Sequence, residues 1–160
     1  MTWMYLGISF ILIALDQYTK FLALKYLNPF NPISIIDSFF NLTLVKNRGA
    51  AFGFLSGMDD PLRSIIFTII SLTAFIIIAY IYCSRPQGSR MVPLAVAMIL
   101  GGAAGNTIDR IRLGHVIDFL DFYYRNLHWP TFNLADSSIT IGVSLLLLQM
   151  LMAGRKDDAS

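Results

Sequence analysis

The stretch FNLADSSITIGVSLLLLQMLMAG (residues 132–154) decides what kind of chain this is. After Asp136 it runs through residues 137–153, seventeen positions, without a charged side chain. Counted from Leu134, that is about the 20 apolar residues an α-helix needs to cross the hydrocarbon core of a bilayer. A carboxylate at the head of such a run is either a helix cap, since Asp is a common one, or a working group. Both readings stand at this point.

Working outward, three more runs have the same character. Residues 4–24 are apolar except for Asp16 and Lys20, residues 64–83 carry no charge, and residues 91–108 are again uncharged. Of the 160 residues 56% are hydrophobic and 14% charged, where a soluble domain has nearer a quarter charged. Mean hydropathy is +0.62. In lipid every backbone polar group must be satisfied within a helix or a closed barrel. The expectation is an all-α membrane protein, one domain over residues 1–160, with four transmembrane helices at about 4–24, 62–83, 91–110 and 134–153. The first run lacks a basic n-region, and Asp16 and Lys20 fall where a signal-peptide cleavage site would be, so it reads as a retained helix. The lone Cys83 leaves no internal disulfide and no cysteine-cluster metal site; it reads as a small buried or interfacial thiol.

The connections carry the polar residues. The short one, SRPQGSR (84–90), holds Arg85 and Arg90, and the tail holds Arg155 and Lys156. The positive-inside rule puts that side in the cytoplasm, although eight of the twelve Lys and Arg lie in or beside residues 20–63 and 110–125. In the first long connection, SFFNLTLVKNRGAAFG, Phe40, Leu42 and Leu44 alternate with Asn41, Thr43 and Val45, which suits a half-buried strand. NRG is turn chemistry, with Gly49 able to take positive φ. A β-rich segment at about 33–56 is expected to form a small extramembrane sheet after the first helix, lying on the membrane surface. The second long connection, RIRLGHVIDFLDFYYRNLHWPTFN, is rich in the aromatic residues that favour the headgroup level.

All ten carboxylates are Asp. Asp37, Asp59, Asp60, Asp157 and Asp158 fall in loops and the tail and read as solvated. Asp16, Asp109, Asp118, Asp121 and Asp136 lie in or beside membrane segments, where an ionisable group is a functional hypothesis by default. Asp16 and Lys20, four apart, share a helix face and serve either packing or substrate. Gly101, Gly102, Ala103, Ala104 and Gly105 make a small-residue face suited to close helix contact. Asn106, Asp109 and Arg110 follow at its end, as polar glue or as a substrate clamp. If the third and fourth helices are antiparallel neighbours, Asp118 and Asp136 meet at one membrane face. Two close carboxylates share a proton, and such a dyad can activate water with one member and protonate a leaving group with the other. No HExxH or GxSxG occurs, and His115 and His128 are thirteen apart, so zinc and serine chemistries fit poorly. The rival reading is a proton-coupled transporter or polar-lined scaffold using the same residues.

The blocks DQYTK (16–20), KNRGAAFG (46–53), GGAAGNTIDRIRLGHVIDF (101–119) and FNLADSSI (132–139), in this order, closely resemble the lipoprotein signal peptidase (signal peptidase II) family over essentially the whole chain. The resemblance implies an intramembrane aspartyl endopeptidase that cleaves prolipoproteins before a diacylglyceryl-modified cysteine. It implies Asp118 and Asp136 as the catalytic pair and Asn47, Asn106, Arg110 and Asn133 as substrate-binding residues. Asp16, Lys20, Gly49, Gly102, Gly105, Asp109 and Ala135 would support them. It further implies no metal or cofactor, and as partners membrane lipid and the prolipoprotein but no nucleic acid. The expected setting is the bacterial inner membrane, with both termini cytoplasmic and the site near the outer face. A monomer is the simplest expectation.

Overall fold

The computed structural model describes residues 2–48, six helical positions between 73 and 82, and residues 89–157, with residues 2 and 153–157 described by backbone alone. Three long helices carry the fold: α1 (Thr2–Tyr26), α2 (Met91–Leu113) and α3 (Leu134–Asp157). Each contains a stretch long and apolar enough to cross a bilayer, at Trp3–Tyr26, Met91–Leu113 and Leu134–Met152. Phe10, Ile11, Leu15, Leu147, Leu148 and Leu151 are large, apolar and exposed, a liability in water but the natural surface toward lipid. The predicted helix at 62–83 lies mostly outside the described residues, as do Gly49, Cys83 and the 49–56 part of the predicted β-rich segment. Where positions of that helix are described, the backbone is helical, and Ile78 and Tyr82 pack on a cluster of Val92, Ala95, Val96, Ile99 and Leu146. The described residues therefore supply three candidate spans rather than the expected four.

Contacts along the helices set their directions. Tyr5 Oη donates to Arg90 O at 3.4 Å, Ser9 Oγ to Ala97 O at 2.9 Å, and Lys20 Nζ lies 3.0 Å from Asp109 Oδ2. Rising numbers on α1 meet rising numbers on α2, so the two are parallel. Against α3 the order reverses: Gly102 abuts Ala135, while Gly142 abuts Ala95 and Ile99. The small-residue face makes both contacts. Gly101 and Gly105, four apart and so on one face, press against α1, whereas Gly102 faces α3. A Cβ on Gly102 would run into the Ala135 carbonyl, and one on Gly105 into the Asp16 carboxylate. Gly102→Ala is expected to cost about 1–3 kcal/mol. Its apparent Tm in detergent should fall well below that of Gly101→Ala, whose added carbon meets nothing closer than 3.1 Å.

Gly114 ends α2. Its φ of 74° is left-handed, and its N–H donates to Arg110 O at 3.0 Å, a glycine C-cap that turns the chain into a strand. The sheet is antiparallel throughout, in the order β1 (Ile33–Ile36), β2 (Phe40–Asn47), β3 (Val116–Tyr124) and β4 (Leu127–His128). This corrects the expectation of a sheet drawn only from the connection after the first helix, since two of the four strands come from the second connection. Residues 116–119 of β3 are all buried, so the strand shows no contrast between alternate positions and its period-two signal is absent. The alternation expected over residues 40–45 is also broken. Leu42 pairs with Leu120 and Val45 with Asp118, three steps on β2 against two on β3. This β-bulge buries Thr43 and Leu44 together and turns Val45 outward.

A second apolar cluster, Ala23, Leu44, Ile117 and Phe119, ties the sheet to the end of α1. Between the two clusters lies a layer of buried polar residues.

Candidate active site

Phe122 stacks on Phe40 at 4.6 Å and on Phe132 at 5.9 Å. Phe132 N donates to Leu120 O at 3.1 Å and accepts at its own O from Leu120 N at 2.9 Å. These contacts lay the approach to α3 alongside β3, so that Asn133 and the first turn of α3 face Asp118.

Asn133 is fully buried, and so is Asp118. Asn133 Oδ1 accepts from Asp136 N at 3.0 Å, while Asn133 N donates to Asp136 Oδ2 at 3.2 Å. This is the reciprocal geometry of a capping box. Of the two readings of Asp136, the N-cap is thereby corrected: Asn133 caps α3, and Asp136, three residues on, returns the bond. Its remaining oxygen stays available, and Oδ1 accepts from Asn106 Nδ2 at 2.8 Å. Asp118 accepts from Asn133 Nδ2 at 2.7 Å on Oδ1 and from Asn47 Nδ2 at 2.9 Å on Oδ2. One asparagine thus touches both carboxylates, by its side chain and by its backbone.

Behind the pair lies a charged hub. Lys20 Nζ meets Asp16 Oδ2 at 2.8 Å, Asp109 Oδ2 at 3.0 Å and Asn106 Oδ1 at 2.8 Å. Asp16 Oδ1 accepts from Ala135 N at 3.0 Å, and Asp109 Oδ2 from Ile117 N at 3.1 Å. Ala135 immediately precedes Asp136, and Ile117 immediately precedes Asp118. The hub therefore grips the backbone next to each member of the pair. Arg110 donates to Asn106 O at 3.4 Å and stands within electrostatic reach of Asp136, Asp118 and Asp109. Among the described residues no buried side-chain polar atom lacks a hydrogen bond, as a low-dielectric polar network requires.

Burial pushes the Asp118 carboxyl up to about 6, with the Asp136 charge acting in the same direction and the Asn47 and Asn133 donors opposing it. The folded protein therefore holds this proton more tightly than the unfolded chain. The resulting stability is complete below the ordinary value of 3.8 and is lost as pH rises through about 6. The difference corresponds to roughly 3 kcal/mol. Apparent Tm is expected to fall between pH 4 and 7 in the wild type and to fall less in Asp118→Asn, as measured by thermal unfolding in detergent.

The chain matches the family model described as signal peptidase (SPase) II over residues 8–152. The chain belongs to the signal peptidase II family. It is therefore a peptidase, and its family together with its long apolar helices makes it a bacterial membrane protein. It is 48% identical over 147 residues to the lipoprotein signal peptidase of Paraburkholderia phytofirmans, covering 92% of this chain and 84% of that one. Against the lipoprotein signal peptidase of Francisella tularensis subsp. novicida it is 45% identical, covering 95% and 94%. It also superposes on a bacterial membrane enzyme solved by the in meso method at 2.3 Å, with a TM-score of 0.79 and 32% identity over 93% of this chain and 88% of that one.

In this signal peptidase II chain, the polar layer brings together Asp16, Lys20, Asn47, Asn106, Asp109, Arg110, Asp118, Asn133 and Asp136, whereas Asp121 lies apart from it, 2.8 Å from His128 Nδ1 and accepting from Asn41 Nδ2 at 3.4 Å. Gly102, Gly105 and Ala135 provide the close helix approach around them. Gly49 lies outside the described residues. The sequence reading missed Gln17, whose Nε2 donates to Asp109 Oδ1 at 2.9 Å and to Gly105 O at 3.1 Å. The available signal was a second polar residue beside Asp16 in an apolar helix.

Proposed function

We propose that this peptidase removes the signal peptide from diacylglyceryl-modified prolipoproteins, cutting before the lipidated cysteine, with Asp118 and Asp136 activating the attacking water. The observation that carries the reading is the bridged carboxylate pair. Two aspartates from different elements, β3 and α3, share Asn133 in a polar layer between apolar clusters. The names of the relatives, lipoprotein signal peptidases, support the substrate class.

In this mechanism the pair carries one proton, held on Asp118, whose burial favours the neutral form. Ionised Asp136 takes a proton from water as its oxygen attacks the scissile carbonyl carbon. Asp118 then protonates the departing amide nitrogen. Arg110 and the Asn47 and Asn106 amides stabilise the carbonyl oxygen as it gains charge. The substrate's acyl chains remain in lipid while the peptide enters from the side. The site faces the outer leaflet of the inner membrane, both termini are cytoplasmic, and the enzyme acts as a monomer.

The test is to incubate the purified protein with one precursor in two forms, with and without the diacylglyceryl group, and map the products by mass spectrometry. Cleavage of the lipidated form alone, directly before the modified cysteine, supports the reading. An uncut lipidated precursor, or a cut elsewhere, overturns it.

A further inference from the structure

The charges at the sheet end of the molecule are sorted by depth. Asp16, Asp109, Asp118 and Asp121 are turned inward, none of them more than 7% exposed. Lys25, Lys46, Arg48, Arg112 and Arg125 at the same end are exposed, and none makes an ion pair among the described residues. The one exposed acid described there is Asp37, which is held by Ser34 Oγ at 2.9 Å. Large apolar side chains lie among these cations: Phe30 is 94% exposed, Leu127 78% and Trp129 69%, joined by Ile35 and Phe39. Arg125 sits 5.4 Å from the Tyr124 ring centre, and Lys25 5.0 Å from that of Tyr26. Exposed aromatics and cations at the end of a membrane bundle belong at headgroup level. Among the described residues, the inward turn of these acids leaves that level positive.

We infer that this basic, aromatic layer binds anionic phospholipid headgroups, so that acidic lipid is enriched around the sheet over neutral lipid. Headgroup phosphates meet the exposed cations, while Phe30, Ile35, Leu127 and Trp129 enter the acyl boundary beside them. Charge complementarity selects the occupant: a zwitterionic surface would satisfy the apolar side chains equally well but would leave the cations uncompensated. The layer exists whether or not the aspartates hydrolyse a peptide.

The chain has two tryptophans. Trp3 lies near the start of α1, at the far end from the sheet, so Trp3→Phe leaves Trp129 as the reporter at the layer. This variant is placed in phosphatidylcholine bilayers containing a fixed fraction of bromine-labelled phosphatidylglycerol or bromine-labelled phosphatidylcholine, and Trp129 quenching is compared. Phosphatidylglycerol is expected to compete for the layer about fivefold better than its bulk fraction where one cation is fully engaged. The preference should weaken at about 0.5 M salt and collapse when Lys25, Lys46, Arg48 and Arg125 are all changed to Gln. Equal quenching by the two lipids overturns the inference, as does a preference unmoved by salt. If the fourfold variant fails to fold by circular dichroism, the salt series on the parent decides.

Discussion

Asp118→Asn and Asp136→Asn are each expected to slow cleavage of a diacylglyceryl-modified prolipoprotein by roughly 10³-fold or more, read by gel shift with purified protein. The change keeps size and removes the carboxyl group's capacity to take up or release a proton. The double variant should be scarcely worse than either single one, because groups that act as a unit lose their joint effect when either is removed. Asp136→Asn keeps an oxygen that can accept from Asn133 N, now 3.2 Å from the carboxylate. The α3 cap should therefore survive, and lost activity would not reflect a frayed helix. Near wild-type cleavage by either well-folded variant would make that aspartate structural and move the chemistry elsewhere.

Lys20→Met should give the largest loss of stability. Its side chain is 3% exposed and serves Asp16, Asp109 and Asn106 within 3.0 Å. Removing the cation leaves two buried carboxylates facing each other without a counter-charge, a loss of about 3–5 kcal/mol for a broken buried pair. Because Asp16 and Asp109 hold the N–H groups of Ala135 and Ile117, activity should fall with stability. Adding Asp16→Asn and Asp109→Asn to Lys20→Met neutralises the hub and should recover much of the apparent Tm while leaving activity low. Denaturation in detergent checks the first part and the gel shift the second. A Lys20→Met protein as stable as wild type would show that the hub is not held by charge.

Much of the architecture was legible in the linear pattern. Long apolar runs have one use in a chain of this hydropathy, and three described helices fall where those runs lie. The i, i+4 spacing of Asp16 and Lys20 anticipated their 2.8 Å contact, because helix geometry alone places those side chains together. The strand β3 was not legible. Periodicity reports contrast between buried and exposed positions, and at residues 116–119 there is none. Asp136 looked like a cap because Asp commonly is one. Choosing Asn133 instead required knowing where α3 begins, and that start follows from the pairing of Phe132 with Leu120.

The sequence by itself determined the solvent, the long apolar helices and the residue types that carry the chemistry, since these depend on composition and on spacing within single segments. Only the tertiary structure decided that Asn133 joins Asp118 to Asp136, that Lys20 reaches Asp109 on another helix, and that at the sheet end Asp16, Asp109, Asp118 and Asp121 point inward while Lys25, Lys46, Arg48, Arg112 and Arg125 point out. Each of these depends on distances between segments far apart in the chain, which are set by the close seating of Gly102 and Gly105 and by the pairing of β2 with β3.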